Sequence, residues 1–332
     1  MHKLHSKDHV LLKENVIKLL HQNKITTILD FLQEDVEKLS TLAKLSLPQI
    51  LSIRLEYFNK YSAPVINGNA LFTKCLISKK FIFTGLSSLD NITGGGIPVG
   101  FITELYGLAG SGKTQLLFQV AINCASNNEG TILYIDTKGD FSAVRVQKML
   151  QAHGYSHKDM AAVLMKIKIV HIWSMDELIE FLRRIKNRTE FIENLSVILI
   201  DSLPCLMFQY LGDDCKVGLS ALNVFVNYCN YLCKEMHLSI VCVNIQTRWV
   251  DQDASDLEDD IESSVSKETV RIEKRNRCLG RYWQHIPALV LLVERTKDCE
   301  NGSAEINISV TKSAFGVSNL SCTLKLSELG VT

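Results

Sequence analysis

Gly107-Leu108-Ala109-Gly110-Ser111-Gly112-Lys113-Thr114 decides how this chain is read. A Gly, four residues, then Gly-Lys-Thr is the pattern of a phosphate-binding loop, and it carries weight only between a strand and a helix. Both flanks are there. Phe101-Ile102-Thr103-Glu104-Leu105-Tyr106 is an apolar run predicted to be a buried strand, and Gln115-Leu116-Leu117-Phe118-Gln119-Val120-Ala121 continues as a helix. In such a loop the glycines turn backbone N–H groups inward around phosphate oxygens, and the helix N-terminus adds positive potential. Lys113 brings a point charge to the β/γ-phosphates, and the Thr114 hydroxyl is a ligand for Mg²⁺.

Downstream, strands and helices alternate. Ile132–Asp136 is a strand, followed by a helix near 142–153; 167–172 is a strand and 175–187 a helix. Val197-Ile198-Leu199-Ile200-Asp201 is a strand ending in a carboxylate, 218–236 a long helix and 238–243 a strand, with closing strands at 288–293, 305–311 and 323–326. This order predicts an α/β fold with a mostly parallel sheet. Asp201 lies two strand–helix units after the loop, where an acidic residue organises Mg²⁺ or its water shell. Upstream, Leu11, Leu12, Val16, Leu19 and Leu20 recur at helical spacing, and further short amphipathic pieces follow to about residue 60, with Pro48 in a first-turn position. A small all-helical domain is predicted over 1–60, a linker over 61–80 where Pro, Gly and Asn cluster, and the α/β domain over 81–332.

The bulk composition narrows the function classes. A chain of 332 residues fits roughly two domains at ~150 residues each. Lys+Arg and Asp+Glu both number 36, so no global basic field advertises nucleic acid, and any such contact must be local. Ten cysteines without a C-x-x-C pair argue against zinc and for free buried thiols. No apolar run approaches the ~18 residues of a membrane span, and the first residues lack the charged-then-apolar pattern of a secretion signal. A soluble cytosolic or nuclear protein is expected.

The block Thr84-Gly85-Leu86-Ser87-Ser88-Leu89-Asp90, then Gly94-Gly95-Gly96-Ile97-Pro98-Val99-Gly100, leads into Gly112-Lys113-Thr114-Gln115. Leu133-Tyr134-Ile135-Asp136-Thr137 comes next, with Phe141 and Arg145 beyond it. This order resembles the RecA-like strand-exchange recombinases of eukaryotes and archaea over nearly the whole chain. Lys24-Ile25-Thr26-Thr27, Pro64-Val65-Ile66-Asn67-Gly68, Asn244 with Thr247-Arg248, and Leu279-Gly280-Arg281-Tyr282-Trp283 near Pro287 are similar to the recombinase paralogues, those of D type in particular. The resemblance implies a RecA-like ATPase core with ATP and Mg²⁺ as cofactors. ATP would be held by Gly107, Leu108, Ala109, Gly110, Ser111, Gly112, Lys113, Thr114 and Gln115, with Arg145 stacking on the adenine and Thr114 and Asp201 on the metal. It also implies a nuclear role in homologous-recombination repair. The expected partners are single-stranded DNA and other paralogues, of C type and of the X-ray-cross-complementing type, in a hetero-oligomer that supports the main recombinase.

The departures from the family pattern bear on catalysis. The recombinases carry a Glu after Tyr-Ile-Asp-Thr to orient the attacking water, and this chain has Lys138, which offers only donors. Slow hydrolysis is expected unless Asp136 or Asp140 substitutes. The recombinases place a γ-phosphate-sensing Gln directly after the loop Asn, where Ile245 stands here and Gln246 comes one residue later. Their filament-forming Phe-x-x-Ala is replaced by Tyr61-Ser62-Ala63-Pro64, which favours hetero-association over a self-assembling, strand-exchanging ATPase. Residues 248–281 stand where the family has a mobile DNA-binding loop. Its first part is acidic and its second basic, and Arg248, Lys274, Arg275, Arg277 and Arg281 are the candidate phosphate contacts, with Trp283 as a stacking platform.

Overall fold

The computed structural model describes residues 3–6, 8–62, 65–77, 80–127, 130–210, 215–250, 273–298, 303–316 and 319–332. The chain divides into two compact units, Met1–Ser78 and Lys79–Thr332.

The first unit is helical: α1 (Glu14–Gln22), α2 (Ile28–Gln33), α3 (Val36–Ala43), α4 (Leu47–Tyr61) and α5 (Gly68–Ile77). Local chemistry sets the starts. Thr27 Oγ1 accepts from the Asp30 N–H at 3.1 Å while Asp30 Oδ2 accepts from the Thr27 N–H at 2.8 Å, a reciprocal cap on α2. Ser46 precedes α4, whose Gln49 accepts from the Ser46 N–H at 2.9 Å, and Pro48 sits in the first turn as predicted. Leu4, Leu12, Leu20, Ile25, Phe31, Leu39, Ile50, Ile53 and Tyr57 form the buried cluster of this unit. The stretch expected as a linker contains α5: Asn67 opens it by accepting from the Asn69 N–H at 2.8 Å. Gly68 opens this helix, and Pro64 lies outside the described residues.

The second unit opens with β1 (Phe81–Ile82), α6 (Ser87–Thr93), β2 (Ile97–Pro98), β3 (Ile102–Tyr106) and α7 (Lys113–Ser126). Then come β4 (Thr131–Asp136), α8 (Ala143–Ala152), α9 (His157–Lys166), β5 (Ile167–His171), α10 (Met175–Lys186), β6 (Leu195–Asp201), α11 (Leu203–Met207), α12 (Cys215–Glu235) and β7 (Ser239–Val243). It closes with β8 (Gln246–Val250), β9 (Glu273–Arg277), α13 (Gly280–His285), β10 (Leu289–Asp298), β11 (Ala304–Ser313), β12 (Ser321–Ser327) and β13 (Gly330–Val331).

Among the described residues the main sheet runs β13-β12-β11-β10-β3-β7-β6-β4-β5. From β10 to β5 every pairing is parallel; β11, β12 and β13 extend one side antiparallel. The inner parallel strands β3, β7, β6 and β4 are buried on both faces, whereas β5, at the edge, is largely exposed. Leu116, Leu117, Phe118, Val146, Met149, Met160 and Val163 cover one face, and Leu178, Phe181, Leu182, Phe225, Cys229 and Leu232 cover the other. β3 lies in the middle, so the loop after it opens at the carboxyl edge of the strands, with the ends of β6 and β4 two and three strands away. Ligands of open α/β sheets bind at this edge.

His153 and His157 do not share a helix: His153 caps the end of α8, and Gly154, with φ +77°, turns the chain before α9.

Candidate nucleotide-binding site

The 107–112 loop joins β3 to α7, and its shape depends on two glycines. A Cβ on Gly107 would come within 2.2 Å of the Val293 carbonyl oxygen, and Gly112 holds φ +94° at the first turn of α7. Lys113, 8% exposed, folds back over the loop. Its Nζ donates to the carbonyls of Gly107 (2.9 Å) and Leu108 (2.6 Å) and to Ser111 Oγ (3.1 Å). These partners are neutral. Burial therefore pulls the ammonium down to about 8, with Asp201 acting against the fall and Lys138 adding to it. A phosphate in the loop would supply the missing anion.

Asp201, at the end of β6, is 1% exposed. Its Oδ2 accepts from Thr114 Oγ1 at 2.6 Å and from the Tyr134 hydroxyl at 3.0 Å. Its Oδ1 lies 2.9 Å from Lys138 Nζ, and Asp140 Oδ2 lies 3.6 Å from the same ammonium. Burial lowers the Lys138 ammonium, but the Asp201 charge and hydrogen bond, with Asp140 behind them, raise it above the usual lysine value. The structure thus brings Lys113, Thr114 and Asp201 together and adds Tyr134 and Lys138 to them.

The turn carrying Lys138 is tightly built. Asp136 Oδ1 accepts from the N–H groups of Lys138 (3.0 Å), Gly139 (2.9 Å) and Asp140 (3.3 Å), and Oδ2 from that of Phe141 (2.9 Å). Burial opposes ionisation of Asp136, and these four donors outweigh it and hold the carboxyl below the usual aspartate value. A carboxylate so engaged shapes the turn and is not a base for water, and Asp140 is tied to Lys138. The turn is also tied to the end of β6: Ser202 N–H donates to Thr137 Oγ1, which donates to the Ser202 carbonyl, both at 2.8 Å.

Arg145 lies in the first turn of α8, which Ser142 caps. Its Nε donates to Gln115 Oε1 at 2.8 Å, and its terminal nitrogens donate to the carbonyls of Ser327 and Glu328. These residues border a cleft of about 330 Å³ with Arg295, Ala304 and Leu326. Three of the guanidinium's five in-plane donors are taken, which fixes its plane and leaves a flat face on which a base can stack.

The candidate DNA segment divides. Residues 251–272, with the acidic run and Lys267 and Arg271, lie outside the described residues. Its two ends are ordered as an antiparallel hairpin stem, β8 with β9, pairing Gln246 to Arg277 through Val250 to Glu273. Arg277 is not a phosphate contact here. Its Nη2 pairs with Glu104 Oε2 at 2.6 Å, and its guanidinium lies 4.6 Å over the Tyr106 ring. Glu104 is fully buried on β3, and its Oε1 accepts from Asn244 Nδ2 at 2.7 Å. Burial pushes the Glu104 carboxyl up, and Asn244 and Arg277 offset only part of this. Trp283 is no stacking platform either; it is fully buried beside Phe225. Arg248 and Arg281 are exposed, Lys274 lies on β9, and Arg275 pairs with Glu294 at 2.9 Å near the surface. Gln246, at the start of β8, donates its N–H to the Gly107 carbonyl at 3.0 Å, so the stem is joined directly to the phosphate loop.

The model of the Rad51 family matches residues 78–272, more than half of the chain. The chain belongs to the Rad51 family. The model of the RAD51D N-terminal domain matches residues 1–55. DNA repair protein RAD51 homolog 4 of Mus musculus is 26% identical over 325 residues, covering 96% of this chain and 93% of that protein. DNA repair protein RAD51 homolog 3 of Cricetulus griseus is 30% identical over 195 residues, covering 52% of this chain and 53% of that protein. Among solved structures the RadB recombinase superposes with a TM-score of 0.57 at 16% identity, covering 76% of this chain and 98% of that one, a likeness of fold. This Rad51-family chain is thus a RAD51D-like recombinase paralogue with a RecA-like core.

Sequence reasoning left two members of these clusters without a role, Tyr134 and Glu104. Glu104 did leave a signal: a lone carboxylate in a buried strand must find a partner, because an isolated buried charge is too costly.

Proposed function

We propose that this chain is an ATP-binding recombinase paralogue of homologous-recombination repair. In this reading it acts in the nucleus as one subunit of a hetero-oligomer with other paralogues, of C type and of the X-ray-cross-complementing type, and supports the main recombinase on single-stranded DNA. Loop residues 107–112, Lys113, Thr114 and Gln115 hold the nucleotide, and Arg145 offers its flat face to the adenine. Arg248, Lys274 and Arg281 are the basic residues assigned to DNA phosphates.

The observation that carries the adaptor reading is the 2.9 Å pair between Lys138 and Asp201. A cation stands where the family's recombinases carry the Glu that orients water, and both neighbouring aspartates are engaged. Nucleotide is bound and held rather than turned over. The names of the relatives, DNA repair proteins and recombinases, support a setting in DNA repair and recombination.

Hydrolysis of ATP by the purified chain, with and without single-stranded DNA, tests this beside Lys138→Glu. Negligible turnover in the parent, rising ~10-fold or more in the variant, is expected, since a positioned base contributes about 10²–10⁴-fold. Robust DNA-stimulated turnover in the parent would instead mean a self-assembling ATPase with its own strand exchange.

A further inference from the structure

Thr114 and Asp201 are oxygen donors of the type Mg²⁺ takes, and the Thr114 hydroxyl can donate to Asp201 while a lone pair remains for a metal. The misfit is Lys138. Its ammonium lies 2.9 Å from the carboxylate that would hold the ion or its water shell. The other oxygen of that carboxylate already accepts two hydroxyl donors. A divalent ion added there would face a like charge at close range in a partly buried site, where such repulsion is poorly screened.

We propose that the Lys138 ammonium serves as the cation of this nucleotide site, so that the chain binds a nucleoside triphosphate without a divalent metal. The inference rests on the nucleotide reading above and concerns how the phosphate charge is met. Lys113 and Lys138 together carry two positive charges; Asp201 opposes them with one negative charge inside the site, and Asp140, 3.6 Å from Lys138 and 60% exposed, adds a second that water screens. At the loop itself the two ammonium groups flank a single buried carboxylate, so side chains alone offer phosphate oxygens a cationic face. The position of Lys138 is built rather than incidental: four backbone N–H groups on Asp136 shape its turn, and the Thr137–Ser202 exchange fixes that turn to the end of β6. Among the described residues no group of three or more His, Cys, Asp or Glu side chains offers a metal another place. An ammonium offers three donors and one charge. It can hold phosphate oxygens, but it lacks the double charge and octahedral ligand set that a metal brings to phosphoryl transfer. One substitution thereby accounts for retained binding and weak turnover together.

The test is the affinity of the full chain for a fluorescent ATP analogue, titrated with Mg²⁺ and again with excess EDTA. The parent is expected to hold its affinity within about twofold on metal removal, whereas Lys138→Asn should weaken by ~10-fold or more in EDTA and recover with Mg²⁺, each tenfold corresponding to about 1.4 kcal/mol. Lys138→Gln serves as a second variant, with melting curves confirming that each is folded. A parent that loses ~10-fold or more in EDTA, or variants as indifferent to metal as the parent, would overturn the proposal while leaving the nucleotide reading intact. No binding by the parent in either condition would overturn both.

Discussion

Two buried carboxylates on the parallel sheet are each met by a cation, and the two sites have different uses. Glu104, in the middle of β3, is closed in by the Asn244 amide and by Arg277, whose guanidinium also packs on Tyr106. Asp201, at the end of β6, is met by two hydroxyls and by Lys138, whose side chain is 27% exposed. A planar guanidinium packed on a ring makes a joint. An ammonium at the rim of a phosphate loop remains available to a ligand. The sign of the charge does not separate the two sites; the shape of the cation and what borders it do.

The sharpest way to break the comparison is to delete each cation. Arg277→Ala leaves Glu104 buried without its charge partner and should cost about 3–5 kcal/mol of stability. Lys138→Ala leaves Asp201 with its two hydroxyl donors and opens the partly exposed space that the ammonium filled to water, and should cost less, about 1–3 kcal/mol. Urea unfolding of both variants decides, and equal losses would erase the distinction. Next in size, Lys113→Ala removes the charge inside the loop. Charge-assisted hydrogen bonds contribute about 1.5–3 kcal/mol, so nucleotide binding should weaken ~10–100-fold while the melting temperature holds.

The pH dependence sharpens the contrast between the two lysines. Lys113 titrates at about 8 in the free protein, below its ordinary 10.5, so over that window the folded chain binds less proton than the unfolded one. Stability contributed by this group therefore rises with pH from 8 to 10.5. Binding of a phosphate restores the proton, so affinity should fall about tenfold between about pH 7 and about pH 9. Lys138 is shifted the other way and stays charged throughout. Binding titrations at the two pH values should show the drop in the parent and a flat response in Lys113→Arg. The smallest effect belongs to a site in the other unit: Thr27→Ala removes the cap on α2 and should cost about 1 kcal/mol of stability there. Nucleotide affinity, measured in the same preparation, should not change.

Much of this arrangement was legible in the sequence because it is local. The loop, its flanking strand and helix, and the alternation of strands and helices along the chain come from short runs of apolar residues. Asp201 was readable as the end of an apolar strand. The role of Lys138 was only half readable. Its charge rules out a base, but its pairing with Asp201 joins positions distant in sequence and depends on β4 and β6 lying side by side. Arg277 was misread for the same reason. Within a basic run it looks like its exposed neighbours, and only the pairing of β9 with β8 brings it to Glu104. Trp283 was misread because a bulky aromatic in a polar segment has no short-range signal of burial. The α5 helix was hidden by the Gly that opens it and by the clustering of Pro, Gly and Asn in the sequence before it, residues that mark a break but do not specify the conformation beyond it.

The Glu104–Arg277 joint has a consequence for how inherited or engineered changes in this chain are interpreted. A substitution at Arg277 would appear in a cellular assay as loss of repair, and its place in a basic segment would invite an explanation in terms of DNA. The expected lesion is low abundance: a few kcal/mol lost from a marginally stable domain exposes it to degradation. Such an allele should be rescued by growth at lower temperature or by overexpression, whereas one that removes a true DNA contact should not.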